Sequence, residues 1–323
     1  MAFEHALSWS VSRSGTFGAC RRRYFLDYYR SWNGWLQDAP EERQLAWRLK
    51  KMTRMPMLTG DVLHQGIAEF FDRRSEGRAM SEDELVAFAV GKLREGYKQS
   101  RDGAGLWRAR PSQSVHLAEH HYQESCVDET TSAAGDYGKT YVARIEAGVH
   151  NFMSSPELSV LHQLGRDELL CVEGRAPGDR QNRDLPTIDL FGTPVFAIPD
   201  FACKTKEGEG QRYWIYDWKS GKPREQDEFQ LGVYALYALE TWGAQPEEVT
   251  CVDVYLTEGE QRSVTFTQAD IDGTLARIEA SLGEMRALHF DAGREAGDAA
   301  DFPQVEEGSR ECGQCNYREV CER

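Results

Sequence analysis

Between residues 192 and 267 the chain alternates two short hydrophobic runs, one long amphipathic run and two further short runs, and no other feature constrains its fold as strongly. GTPVFAIPDFACK (192–204) and RYWIYDWK (212–219) carry the β-branched and aromatic residues of strands, joined by the turn TKEGEGQ. QDEFQLGVYALYALETW (226–242) is a predicted helix, and VTCVDVYLTEG (249–259) with RSVTFT (262–267) a predicted hairpin. A strand, ELLCVEG (168–174), precedes this block, a loop covers 175–186, and a helix over about 268–289 follows it. A compact sheet flanked by helices is an α/β or α+β pattern.

Upstream the chain reads as helical. Helices are predicted at 18–30, 41–54, 59–74 and 138–153, with Gly- and Ser-rich loops near 99–114 and 131–140. An acidic Gly/Ala-rich connector (291–311) leads to a cysteine-rich end. At 323 residues the chain is long enough to bury a core without disulfides. No stretch approaches the ~18 apolar residues of a membrane span. MAFEHALSWSVSRSG lacks a basic start followed by an apolar run, so no secretory leader is expected and the chain is expected in the cytoplasm, with no membrane partner. In that compartment eight cysteines point to metal or cluster ligation rather than to disulfides.

The sharpest chemical signal is Pro199-Asp200 followed, sixteen residues on, by Asp217-Trp218-Lys219. In a strand, residues i and i+2 face the same side, so Asp217 and Lys219 project together, and a hairpin after residue 204 brings Asp200 alongside. Two carboxylates suit a hard divalent ion such as Mg²⁺ or Mn²⁺, which retains waters and takes phosphate oxygens as further ligands. A lysine beside them orients a water or offsets phosphate charge. The Trp218 carbonyl offers a further ligand, and Glu173 a further acid.

These residues resemble the PD-(D/E)xK nuclease signature, and their surroundings resemble its RecB-like branch, which includes the CRISPR-associated exonucleases and the AddB subunit of bacterial helicase-nucleases. Leu63-His64-Gln65-Gly66 is similar to the helix that supplies a histidine ligand in that branch. Gln230-Leu231-Gly232-Val233-Tyr234 is similar to its Q-x-x-x-Y motif. Ser10–Tyr24 resembles its N-terminal Ser/Arg–Cys segment, and Cys312-x2-Cys315-x5-Cys321 its C-terminal cluster motif. Asp217 stands where many relatives carry glutamate.

The resemblance implies a restriction-endonuclease-like α/β fold: a central mixed β-sheet flanked by helices, an N-terminal helical elaboration and an iron–sulfur clasp joining the two ends. It implies one domain over 1–323, with a helical insertion at about 72–165, a catalytic core at 165–290 and an iron–sulfur module formed by 302–323 with Cys20. Asp200, Asp217 and His64 would bind the metal, Lys219 would position the nucleophilic water, and Gln230 and Tyr234 would contact substrate. An imidazole ligand favours manganese over magnesium. Cys20, Cys312, Cys315 and Cys321 would hold a [4Fe–4S] cluster, with zinc the alternative. The expected substrate is single-stranded DNA with free ends, cut by an exonuclease in repair, recombination or defence, with other DNA-processing proteins as expected partners. A DNA-holding or partner subunit that cuts rarely, and a zinc-binding regulator, are the competing readings.

Charge constrains how DNA would be held. The net charge is −15. Residues 1–110 hold 19 Lys and Arg against 14 Asp and Glu, and the remaining 213 residues hold 19 against 39. Positive charge must therefore be concentrated locally. Arg21, Arg22 and Arg23 adjoin Cys20, and Arg43, Arg48, Lys50, Lys51 and Arg54 surround Trp47 in a run without acids. A basic run with an aromatic suits a single strand, and Arg21, Arg22, Arg48, Lys50 and Lys51 are the expected substrate contacts. A solvated helix face is the plainer alternative.

Overall fold

The computed structural model describes residues 3–179, 185–208, 210–224 and 226–321. The middle of the loop expected at 175–186 lies outside these residues. The chain opens with α1 (Val11–Ala19), α2 (Arg21–Phe25), a π-helical turn (Leu26–Arg30) and α3 (Glu41–Lys50). Two long helices, α4 (Met55–Ser75) and α5 (Glu82–Asp102), follow, then the short α6 (Ala104–Ala109) and α7 (Ala118–His121), and the long α8 (Ala133–Ser154). The strands are β1 (Leu169–Val172), β2 (Thr187–Leu190), β3 (Thr193–Phe196), β4 (Phe201–Glu207), β5 (Gly210–Lys219), β6 (Val249–Tyr255) and β7 (Glu260–Thr265). Helix α9 (Asp227–Trp242) connects β5 to β6, α10 (Gln268–Ala287) follows β7, and α11 (Arg310–Gly313) lies in the tail.

Five strands form one mixed sheet in the order β1-β4-β5-β6-β7. The β5–β6 pair is parallel, as the α9 crossover requires, and the other pairs are antiparallel. Each face carries its own apolar cluster. Ile215 and Cys251 pack with α9, α10 and the N-terminal helices. Trp218, Tyr216, Phe201 and Val254 pack with α4, α5 and α8. Strand β6, covered on both faces, is buried along its whole length. The architecture is the expected mixed α/β sheet flanked by helices. Among the described residues no helix is long and apolar enough to cross a membrane.

The predicted strand over 192–204 is two strands. β3 pairs with β2 in a separate hairpin, and β4 begins only at Phe201. Pro199 lies in the break; it has no N–H for a ladder and restricts Ile198 before it. The loops expected near 99–114 and 131–140 are largely helical, as α6 and the first turns of α8. Burial of Trp107, Tyr141 and Ile145 overrides their small-residue composition. The helix expected over 18–30 breaks at Cys20, whose extended backbone separates α1 from α2 and whose sulfur accepts the Arg23 N–H at 3.4 Å.

The two ends of the chain meet. The His5 N–H donates to Asp291 at 2.9 Å, and the Arg22 guanidinium donates to the Phe302 and Ala299 carbonyls at 3.0 and 2.8 Å. The Asn316 amide donates to the carbonyls of Leu49 and Met52, and the Tyr317 hydroxyl donates to half-buried Asp27.

Candidate active site

Antiparallel pairing of β1 with β4 sets Val172 opposite Phe201, so the residues just beyond, Glu173 and Asp200, are neighbours. The Glu173 N–H donates to the Asp200 carbonyl at 2.7 Å and the Gly174 N–H to the Pro199 carbonyl at 3.0 Å. The turn that achieves this is left-handed at both residues, with φ of +50° at Glu173 and +70° at Gly174. Such a conformation costs a glutamate about 1 kcal/mol or more, and strain of this kind clusters at functional sites. Helix α4 brings His64 to the same place. It passes the end of β5 so closely that a Cβ on Gly60 would lie 2.9 Å from the Ser220 hydroxyl.

His64, Glu173 and Asp200 present one ligand atom each within 4.8 Å of one another. His64 Nδ1 lies 3.4 Å from Asp200 Oδ1 and 3.5 Å from Glu173 Oε1. On its other side, Nε2 is 2.7 Å from the Trp218 carbonyl. When Nε2 carries the proton and donates it to that carbonyl, the Nδ1 lone pair faces the carboxylates, the outer-shell arrangement that orients a histidine ligand. The Trp218 carbonyl, expected as a ligand, lies on the Nε2 side of His64. The Trp218 N–H donates to Asp200 Oδ2 at 2.7 Å and fixes that carboxylate as well. Glu173 Oε1 is buried without a hydrogen-bond partner, an acceptor that a cation would satisfy. One imidazole and two carboxylates fit a divalent ion of the Mn²⁺ or Mg²⁺ type. Burial pushes the imidazole down, but Asp200 and Glu173 outweigh it and hold His64 well above the usual histidine range. Burial, reinforced by Asp200, raises Glu173 against the opposing pull of His64.

Beside this group Asp217 belongs to a second network. Its Oδ2 is 2.5 Å from Lys219 Nζ, confirming that the two residues share a face. Helix α9 lies over that face and contributes Gln230 and Tyr234, one turn apart. Gln230 Nε2 donates to Asp217 Oδ1 at 3.0 Å, Gln230 Oε1 accepts from Lys219 at 2.8 Å, and the Tyr234 hydroxyl donates to Asp217 at 3.2 Å. Burial, then the nearby Asp200 charge, pushes Asp217 up to about 7 against the pull of Lys219. Burial would lower Lys219, but Asp217, Asp253 and Asp227 outweigh it and keep it an ammonium. Asp253 faces Asp217 across the parallel strands and lies 4.0 Å from Lys219. Neither Asp253 nor Asp227 was singled out by sequence; parallel register and the start of α9 bring them in.

Cys20, Cys312, Cys315 and Cys321, separated by almost the whole chain, line a single cavity of about 100 Å³ together with Arg23 and Arg318. Among the described residues no three of these sulfurs lie within 4.8 Å of one another. Three accept N–H hydrogen bonds: Cys20 from Arg23, Cys315 from Tyr317 and Cys321 from Gln304.

Several of the basic N-terminal residues make contacts within the fold. Arg21 pairs with Glu284 at 2.6 Å and covers the Phe17 ring, Arg22 holds the two tail carbonyls, and Lys50 donates to the Asp27 carbonyl at 2.6 Å. Lys51 sits over the Trp47 ring at 4.2 Å, and Arg48 is half-buried on α3 without an ion pair among the described residues. Arg21, Arg22 and Lys50 are thus engaged in the fold, a use that a charge run does not reveal.

Residues 8–322 match the family described as the PD-(D/E)XK nuclease superfamily. No curated protein matches the chain.

Proposed function

The chain belongs to the PD-(D/E)XK nuclease superfamily, and from that premise we propose that it is a metal-dependent deoxyribonuclease acting as an exonuclease on single-stranded DNA in repair, recombination or defence. The observation that carries this reading is the convergence of His64, Glu173 and Asp200 beside the Asp217–Lys219–Gln230 network.

His64, Glu173 and Asp200 hold the ion, with Asp217 adjoining. A divalent ion bound there lowers the pKa of a water and offsets phosphate charge. Lys219, held as an ammonium, donates hydrogen bonds to the attacking water and the phosphate oxygens; a charged lysine does not serve as the base. Gln230 fixes the Lys219 ammonium from α9, and Tyr234 fixes Asp217. The test is end-labelled single-stranded DNA with anaerobically purified protein in Mn²⁺, Mg²⁺ or EDTA. Degradation that needs a metal and is lost in Lys219→Ala supports the reading. No cleavage with either metal favours a DNA-holding subunit.

Cys20, Cys312, Cys315 and Cys321 hold a [4Fe–4S] cluster in this reading. A single tetrahedral zinc, with Zn–S bonds of about 2.3 Å, draws its sulfurs closer together than these four lie. Hydrogen bonds to three of the sulfurs suit cluster thiolates. Brown protein with stoichiometric iron and sulfide supports the assignment, and colourless protein with one zinc overturns it.

A further inference from the structure

A groove of about 910 Å³ runs between α1 and the start of α9. One end is formed by Gln230 and Tyr234, the two side chains that hold Asp217 and Lys219. At the other end, Arg23 and Glu311 belong at once to this groove and to the cysteine-lined cavity. The groove therefore starts at the nuclease site and finishes at the clasp. Its α1 wall presents small side chains, among them Ser12, Gly15 and Thr16, so the floor stays open.

Its charge departs from that of the surrounding chain. Residues after 110 carry twenty more acids than bases, yet among the described residues this part of the chain lines the groove with Arg224 and Arg310 against the single acid Glu311, and α2 adds Arg23. Arg224 follows the catalytic strand by five residues, and Arg310 opens α11 in the tail. Both are exposed, and neither makes an ion pair among the described residues. Cations without an ion pair among the described residues, in a cleft that reaches Gln230 beside Lys219 and shares Arg23 and Glu311 with the cysteine-lined cavity, fit an extended polyanion. A volume of about 910 Å³ has room for a few nucleotides of one strand.

Resting on the nuclease reading above, we propose that a single nucleic-acid strand lies in this groove, with Arg224 holding a backbone phosphate near the metal site and Arg310 holding another beside the clasp.

The test uses the full chain and a fluorescently labelled oligothymidylate in EDTA, with binding followed by anisotropy across a range of salt concentrations. Arg224→Ala and Arg310→Ala are each expected to weaken binding roughly fivefold at low salt, and each to reduce the slope of log K against log salt by about 0.7, the signature of one lost phosphate contact on a single strand. Arg294→Ala, an exposed arginine outside the groove, is expected to leave the slope unchanged. Unchanged slopes in both groove variants, no strand binding by the wild type, or equally arginine-dependent binding of a blunt duplex would each overturn the proposal. Cleavage in Mn²⁺ separates the two readings. Arginine-dependent binding without cleavage keeps the strand path and removes the nuclease. Cleavage with unchanged slopes keeps the nuclease and removes the path.

Discussion

Gln230 joins Lys219 and Asp217 through its single amide: the carbonyl end accepts from the ammonium at 2.8 Å and the NH₂ end donates to the carboxylate at 3.0 Å. Tyr234, the network's other neutral side chain among the described residues, donates to the carboxylate and accepts from Gln230 at 2.6 Å but makes no hydrogen bond to the ammonium. Gln230→Ala is therefore expected to lower kcat by about ten- to a hundredfold through loss of alignment, with the fold retained. Gln230→Glu supplies the acceptor but replaces the donor with a further negative charge beside Asp217, and is expected to be at least as damaging. Single-turnover cleavage rates, with circular dichroism as the control for folding, check both.

Gly174 is the residue on which the Glu173 turn depends. At φ of +70° a side chain is strained, and a Cβ there would lie 2.7 Å from Ile198 and 2.8 Å from Pro186. Gly174→Ala is expected to destabilise the protein by about 1–3 kcal/mol and to move Glu173 away from Asp200. Glu173→Gln leaves the turn intact and removes only the charge. It is expected to weaken Mn²⁺ binding by at least tenfold with little change in urea midpoint. Denaturation curves and metal titrations on the two variants separate turn from charge.

Metal affinity is expected to rise with pH. In the ion-free protein His64 holds its proton well above the usual histidine range, and Asp217 titrates at about 7. An ion bound by His64 displaces its proton, and the ion's charge favours the ionised form of adjoining Asp217, so binding at pH 6 releases protons and is weaker than at pH 8.5. Mn²⁺ titration calorimetry in buffers of different ionisation enthalpy measures the protons released. Affinity independent of pH over that range would refute the assignment of His64 to the ion.

Tyr317 anchors the tail by a hydrogen bond to Asp27, which burial pushes upward. Tyr317→Phe leaves that carboxyl without its hydroxyl partner and is expected to cost about 1–3 kcal/mol. Because Asn316 still holds the Leu49 and Met52 carbonyls, the expected outcome is a looser tail on an intact sheet. Limited proteolysis should then cut beyond residue 302 first.

Much of the site was legible because its spacing is local. Asp217 and Lys219 are two apart on a strand, and Gln230 and Tyr234 four apart on a helix, so each pair shares a face by period alone. Glu173 was harder to read, since its place beside Asp200 is made by antiparallel pairing and a left-handed turn; the Glu-Gly step at 173–174 was the available signal. Pro199 carried the information that the strand over 192–204 breaks, but the hydrophobic run around it dominated the pattern. Asp253 reaches Lys219 only through parallel register, which no local spacing encodes. Arg22 and Lys50 showed the converse: their charge was visible, but their backbone carbonyl partners were not.

Strand β5 gives its two faces different tasks, with Trp218 buried against α4 and α8 while Asp217 and Lys219 turn to α9. A slip of one residue against β6 would exchange them, driving two charges into an aromatic cluster and presenting an indole to the metal. The packing of Trp218 is thus a proofreading step for the chemistry: a chain that folds in the wrong register forfeits its core before it can assemble a misplaced active site. Substitutions at Trp218 that relax this penalty should yield inactive protein in which every catalytic residue is still present.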